Sequence, residues 1–219
     1  MTVPIIRDRG SAAVFHQRSL PEPASTQIWV FDVDRPALVL GSTQSEGVVD
    51  AAACAAAGVD VVRRRSGGGV VLLEPGGMVW FDVIVPAEQL REAGVGDDVA
   101  ASMVWLGERV AGALTQLGVG GAVVHGGKMV CSSWCPLVCF AGIGPGEVTL
   151  GERKLVGISQ RRTRFASRFQ CAVHTRWSRE ELARLLTARP PVGELPPVAT
   201  VDGEVGRQLP DVLARSLGS

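Results

Sequence analysis

Residues 59–62 read as a short buried strand, and they lead straight into Arg63-Arg64-Arg65-Ser66-Gly67-Gly68-Gly69. This junction constrains the chain more than any other stretch. Consecutive glycines let backbone N–H groups approach a ligand, while adjacent guanidinium groups neutralise a phosphate or carboxylate. The loop is therefore expected at a strand end, facing a small anionic ligand. Its spacing matches neither the P-loop nor the dinucleotide fingerprint, which excludes the ordinary nucleotide-fold readings.

The stretches around it supply a frame. Short apolar runs at 28–31 and 37–40, bounded by Asp, Pro and Gly, predict strands, and the alanine-rich 47–57, closed by Gly58, predicts a helix. Runs 70–73 and 78–85 flank Glu74-Pro75-Gly76-Gly77 and predict a hairpin. Residues 98–117 place Val99, Met103, Leu106, Val110 and Leu114 on one side at helical spacing. Strands are expected at 122–125, 147–150 and 154–159, the last two joined by Gly151-Glu152-Arg153. A Ser-x-x-Glu capping box, Ser178 to Glu181, opens a helix over 178–186; an extended Pro- and Gly-rich connector follows over 188–206, then a short helix at 210–217. The sum is an α+β or α/β chain, one domain over 1–219 with a mixed sheet and few helices.

Composition removes several function classes. The formal net charge is zero, and the basic residues cluster only at Arg63-Arg64-Arg65 and Arg161-Arg162-Thr163-Arg164, so no extended nucleic-acid footprint exists. No run of about 18 apolar residues is present to span a membrane, and 1–10 lacks the apolar stretch of a secretory signal. A cytoplasmic protein is expected, with its five cysteines as reduced thiols rather than a disulfide framework. Of the 22 basic side chains only Lys128 and Lys154 are lysines. Where Arg serves every general need for a cation, a retained ammonium points to a site needing a compact point charge. Lys154, at the start of a predicted strand, could polarise an acyl carbonyl or hold a phosphate.

Two motifs together carry a resemblance. Arg63-Arg64-Arg65-Ser66-Gly67-Gly68-Gly69 is similar to the loop that wraps the activated acyl group in lipoate-protein ligases and octanoyl or lipoyl transferases, and Lys154, Gly157 and Gln160 match the Lys-x-x-Gly-x-x-Gln strand of that superfamily. The resemblance runs over about 27–186, in the right order. It implies the biotin/lipoate ligase catalytic-domain fold, a mixed, largely antiparallel sheet flanked by helices in an α+β (α/β-like) domain with its core at 27–186 and a C-terminal extension at 187–219, with Arg63, Arg64, Ser66, Gly67, Gly68, Gly69, Gly157, Ser159 and Gln160 binding substrate and Lys154 catalytic. Biotin ligases carry a different basic glycine loop and match less well.

Cys139-Phe140 lies ahead of Lys154 and resembles the Cys-Phe segment of the cysteine-dependent octanoyltransferases, which hold the acyl group as a thioester, pass it to a carrier lysine and use no nucleotide. That resemblance makes Cys139 a catalytic nucleophile beside the Lys154 cation. The Ser-Gly-Gly-Gly form of the loop is instead typical of ATP-dependent ligases, for which ATP and Mg are implied and Cys139 is incidental. A third reading is a non-catalytic protein that binds lipoate or a similar acid. The implied partners are a lipoyl-domain or glycine-cleavage H-type carrier protein and a lipoic or octanoic acid derivative, with no nucleic acid and no membrane.

The remaining candidates read as structural. Cys131, Cys135 and Cys139 recur every four residues, which is not a usual zinc spacing, so no metal site is expected. Cys54, Cys131, Cys135 and Cys171 read as buried small hydrophobes, and His125 and His174 as hydrogen-bonded structural histidines. Arg161, Arg162 and Arg164 form either a solvated rim or a surface for an acidic carrier.

Overall fold

The computed structural model describes residues 3–96 and 98–218. Met1, Thr2, Asp97 and Ser219 belong to the expected 1–219 domain and lie outside the described residues. In chain order the elements are β1 (Ile5–Gly10), α1 (Ala12–Gln17), β2 (Gln27–Val33), β3 (Ala37–Leu40), α2 (Ala51–Ala56), β4 (Asp60–Arg63), β5 (Val71–Leu73), β6 (Met78–Pro86), α3 (Ala87–Glu92) and α4 (Val99–Gln116). Then come β7 (Ala122–Val124), β8 (Val130–Cys131), β9 (Gly142–Ile143), β10 (Val148–Leu150), β11 (Arg153–Arg162), β12 (Ala166–His174), α5 (Arg179–Arg184) and α6 (Gly203–Leu217).

A seven-stranded sheet runs in the order β1-β2-β6-β12-β11-β10-β7. Its one parallel pair is β1 with β2, and its other neighbours are antiparallel. A smaller sheet, β4-β3-β5, carries the basic glycine loop out of β4, and β8 pairs with β9 apart from both. This agrees with the expected α+β class.

Side chains alternate across the large sheet and so build two cores. On one face Phe81, Val83, Val156, Ile158 and Phe169 pack against Leu106, Val110 and Leu114 of α4 and Leu209, Val212 and Leu213 of α6. On the other face Trp29, Phe31, Trp80 and Ile84 meet Phe15 of α1 and Val39 and Leu73 of the small sheet. A third cluster joins Leu38, Leu40 and Leu72 of the small sheet to Cys54, Val138, Leu182 and Leu186. α4, α5 and α6 start on side-chain caps: Asp98 accepts from Ala100 and Ala101, Ser178 from Glu181 and Asp202 from Glu204.

Several elements depart from the sequence reading. β5 and β6 do not form a hairpin: β5 pairs with β3 and β6 with β2 and β12, so the Glu74-Pro75-Gly76-Gly77 turn hands the chain from one sheet to the other. α2 is shorter than the expected helix because 46–48 form a separate 3-10 turn. α6 begins at Gly203 and runs through Pro210, whose neighbours Leu209, Val212 and Leu213 are seated in the core. The strands β1 and β12 and the helices α1 and α3 fall where no element was expected.

β12 is central, yet it buries a charge. Arg168 is 2% exposed; its Nε donates to Asp82 Oδ2 at 2.6 Å, and its remaining nitrogens donate to Arg18 O and Phe15 O. Asp82 is fully buried and also accepts from Trp80 Nε1. Burial raises the Asp82 pKa, and the Arg168 charge opposes that rise. The pair fastens α1 and its following loop to the sheet. Removing one partner leaves the other charge buried and alone, so Asp82→Ala is expected to cost about 3–5 kcal/mol, read as a lower urea midpoint at unchanged slope; an unchanged midpoint would remove the pair from this role.

Candidate active site

The glycine loop takes its shape from Arg64. This side chain is 5% exposed and donates from Nη2 to Gly67 O at 2.7 Å and Gly69 O at 2.9 Å, and from Nε to Gly67 O. Gathering the carbonyls on one side leaves the N–H groups of Gly67, Gly68 and Gly69 without a protein acceptor among the described residues, and all three glycines line a cavity of about 560 Å³. Unpaired backbone donors around a cavity suit a carbonyl oxygen or an anion. Arg63 lies outside the cavity, donating to Gly41 O and Gln44 O and facing Glu46. Both arginines therefore brace backbone instead of pointing an open fork at a ligand.

The loop is also tied to the segment that carries Cys139. Val70 N–H donates to Leu137 O at 2.7 Å and Cys139 N–H to Val70 O at 3.0 Å. A Cβ at Gly69 would lie 2.6 Å from Cys139 N and from Val138 C, so only glycine permits this approach. A Cβ at Gly41, at the end of β3, would stand 1.9 Å from Gly68 O.

Lys154, 3% exposed on β11, holds the other end of that segment. Its Nζ donates to Cys139 O at 3.0 Å and Gly142 O at 3.0 Å, pairs with Glu147 Oε2 at 2.7 Å, and stands 4.9 Å from the centre of the Phe140 ring. Glu147 is satisfied in turn, accepting from Gly144 N–H on Oε2 and from Ile158 N–H on Oε1. Three ammonium hydrogens thus meet three convergent oxygens, which a planar guanidinium fork cannot match. Glu147 is a site residue that sequence reading did not select; the signal available was a carboxylate a hairpin away from the rare lysine.

Between these clamps the Cys139 thiol is half-buried and outside any disulfide. It lines the 560 Å³ cavity and also a second, almost wholly apolar slot of about 50 Å³ between the two sheets, walled by Val39, Val71, Trp80 and Phe140. Gly157 floors the slot, where a Cβ would come within 3.0 Å of the Phe140 ring. Ser66 and Ser159 meet at 3.0 Å between their hydroxyls, and Ser66 Oγ donates to Gln170 Oε1 at 2.7 Å. Gln160 faces the other way, bonded to Ser102 of α4, and lines the larger cavity.

Two buried histidines border this region. His16 stacks on Trp80 at 4.4 Å between ring centroids, with Nδ1 against Gln170 Nε2 and Nε2 unpartnered. Because Gln170 Oε1 is engaged by Ser66, its amide nitrogen donates to Nδ1, leaving the ring proton on Nε2. Burial, then the Arg168 and Arg64 charges, lower its pKa to about 3. His174, against Phe140 and Trp177, is pushed down to about 3 chiefly by burial.

The cysteine reading needs correction. Cys131 and Cys135 form a disulfide, with Cα atoms 5.4 Å apart, and Cys131 is exposed and Cys135 half-buried, not the buried thiols expected. The turn after β8 brings the two positions within bridging distance, a closeness their spacing alone does not reveal. Cys54 and Cys171 are buried thiols as expected. His125 bonds Lys128 O at 2.7 Å. Among the described residues no group of three or more His, Cys, Asp or Glu is placed to hold a metal ion, and no helix is long and apolar enough to cross a membrane.

A sequence model of the family described as Lipoyl protein ligase A/B catalytic domain matches residues 8–213. A comparison with curated proteins finds no match. Among solved structures, a candidate lipoate protein ligase of T. acidophilum with bound lipoic acid aligns at TM-score 0.75 and 17% identity, covering 100% of this chain and 87% of that one. A lipoate-protein ligase A bound with ATP aligns at 0.70 and 17%, over 100% and 86%. A bi-partite lipoate protein ligase of Thermoplasma acidophilum, described with its E2 lipoyl domain, aligns at 0.63 and 15%, over 99% and 84%. At these identities the likeness is one of fold.

The histidines make stability depend on pH. In the unfolded chain each binds a proton below its ordinary value of 6.5, whereas the folded protein resists until about 3. Between those values the unfolded state holds more protons, so their contribution is complete above about pH 6.5 and is lost as pH falls. The denaturation midpoint of the wild type is expected to drop more steeply between about pH 6.5 and about pH 4 than that of His16→Gln; parallel curves would count against a neutral buried His16.

Proposed function

The chain belongs to the lipoyl protein ligase A/B catalytic domain family and is an enzyme of the lipoate ligase and transferase class; on that footing we propose that it transfers a lipoyl or octanoyl group to a carrier-protein lysine through a thioester on Cys139. The observation that carries this reading is the place of the thiol. It stands where the cavity edged by unpaired loop N–H groups meets the apolar slot, with its own carbonyl held by Lys154.

The chemistry follows from that placement. The Cys139 thiolate attacks the carbonyl of a donor thioester; a new S–C bond forms, the donor S–C bond breaks, and the donor leaves as a thiol. The loop N–H groups face the oxyanion, and the Lys154 charge lies behind the Cys139 backbone. The amine of the carrier lysine then attacks the Cys139 thioester, forming the amide and restoring the thiol. The acyl chain lies in the 560 Å³ cavity along Met103, Met129 and Ile158, the slot at Phe140 being too small for eight carbons, and the acceptor is a lipoyl domain or a glycine-cleavage H-type protein. Two of the structural neighbours support the substrate and partner classes, one with bound lipoic acid and one described with its E2 lipoyl domain. This route needs no nucleotide.

A second reading is an ATP-dependent lipoate ligase, in which the same loop holds an acyl-adenylate and Cys139 is a bystander. It is favoured by the loop N–H groups, which suit a phosphate as well as an oxyanion, and by the ATP-bound neighbour. That route requires ATP and magnesium.

Intact-mass spectrometry after mixing the protein with an octanoyl thioester donor, without ATP, separates the two. An acyl adduct that maps to Cys139 and disappears in Cys139→Ser is expected. No adduct, with carrier modification only when free lipoate, ATP and magnesium are supplied, would replace the transferase by the ligase. Lys154→Arg is expected to lower transfer by about a hundredfold or more under either route, and normal turnover by it would refute the role of Lys154.

A further inference from the structure

A groove of about 810 Å³ lies beyond the Ser66–Ser159 contact, between the β11–β12 turn, α3 and the segment after α1. Its walls carry four guanidinium groups, those of Arg65, Arg91, Arg161 and Arg164. None of them has a carboxylate partner among the described residues, although carboxylates stand within the same groove. Two carboxylates, Glu22 and Glu88, also line the groove and form no ion pair, which leaves it with an excess of two positive charges from four arginines and two acids. In a chain of zero formal net charge, this is a concentration of uncompensated charge. Arg161, half-buried, has its pKa lowered first by burial and then by the Arg65 and Arg168 charges.

The groove has an apolar anchor as well. Phe165, 56% exposed at the turn between β11 and β12, stands on its rim with the Arg164 guanidinium stacked 4.4 Å from the ring centre. Arginine and an exposed aromatic are the residue types enriched in protein interfaces and in their hot spots. The location links the groove to the chemistry. Gly157, Ser159 and Arg161 alternate onto one face of β11, so the apolar slot, the Ser66–Ser159 contact and the groove follow one another along that face. Arg65 makes the same connection through the loop, being the residue before Ser66.

We infer that this groove is the docking surface for the carrier protein, taking a carboxylate-rich patch on a folded carrier domain beside the 65–69 loop, whose glycines edge the cavity at Cys139. The inference rests on the acyl-transfer reading for its partner, but the surface can be tested apart from turnover. Electrostatic attraction of this kind acts on association rate and is weakened by salt.

The experiment measures binding of an unacylated lipoyl domain of net negative charge to the full chain at several salt concentrations. The variants are Arg161→Glu with Arg164→Glu, and separately Arg91→Glu on a different element. Each is expected to weaken binding by about tenfold or more at low salt and to flatten its salt dependence. Acylation of Cys139 by a small octanoyl thioester with no protein carrier stays at the wild-type rate. A lipoyl domain whose surface carboxylates are neutralised is expected to bind the wild type as weakly as the native domain binds the variants. Unchanged binding after charge reversal in folded variants overturns the inference. So does displacement of the domain by ATP-magnesium together with loss of ATP binding in the double variant, which would give the groove to a nucleotide. Failure of the acyl-transfer reading shows itself elsewhere, as no acylation of Cys139 by the small thioester while the domain still binds the groove.

Discussion

The ammonium of Lys154 has three hydrogens, and the fold presents it with three oxygens, those of Cys139, Gly142 and Glu147. Taking a cation out of water costs several kcal/mol, and a single counter-ion rarely recovers it unless every remaining donor and acceptor is also met. Here they are met, because Glu147 is itself held by the N–H groups of Gly144 and Ile158. The pair therefore fixes the course of the backbone from 139 to 147 against β11. That segment is also the wall on which the glycine loop rests, through the bonds between Val70 and Leu137 and between Cys139 and Val70. Arg64 and Lys154 are thus two clamps on one continuous piece of chain, one acting through the loop and the other through the strand.

The parts of this arrangement that were legible in the sequence are those whose residue types have few other uses. A run of three glycines after three arginines, and a lysine in an arginine-rich chain, announce themselves, whereas Cys139 was selected through the resemblance of Cys139-Phe140 to the segment of cysteine-dependent octanoyltransferases. The roles of the arginines were not legible in the same way. Arg64 looks from its position like a ligand contact, yet its bonds to Gly67 and Gly69 carbonyls depend on the loop turning back over it.

The missed strand β12 has a similar cause. Arg168 and Gln170 give its sequence the look of an exposed stretch, and only Asp82, 86 residues earlier, makes Arg168 tolerable in the middle of a sheet. Local signals also identified turns better than pairings. Glu74-Pro75-Gly76-Gly77 does reverse the chain, but the neighbours of β5 and β6 are chosen by core packing on two different sheets. α6 was cut short at Pro210 because a proline inside a helix forfeits one backbone bond, a loss offset here by apolar side chains on both sides of it.

The order of strands in the large sheet bears on how the protein comes into being. β12 is the last strand in sequence, yet it lies between β6 and β11, at the middle of the sheet. Until it is in place, β6 and β11 are open edges with unpaired backbone groups, and unpaired edges invite contact with other chains. During synthesis everything from β1 through β11 emerges before the strand at Ala166–His174 can join the two halves. Closure of the sheet, burial of Arg168 against Asp82, and the pairing of Ser159 with Gln170 all require that strand. The reactive wall is assembled only when the whole domain is, so a partly made chain holds the sequence of the site without its geometry.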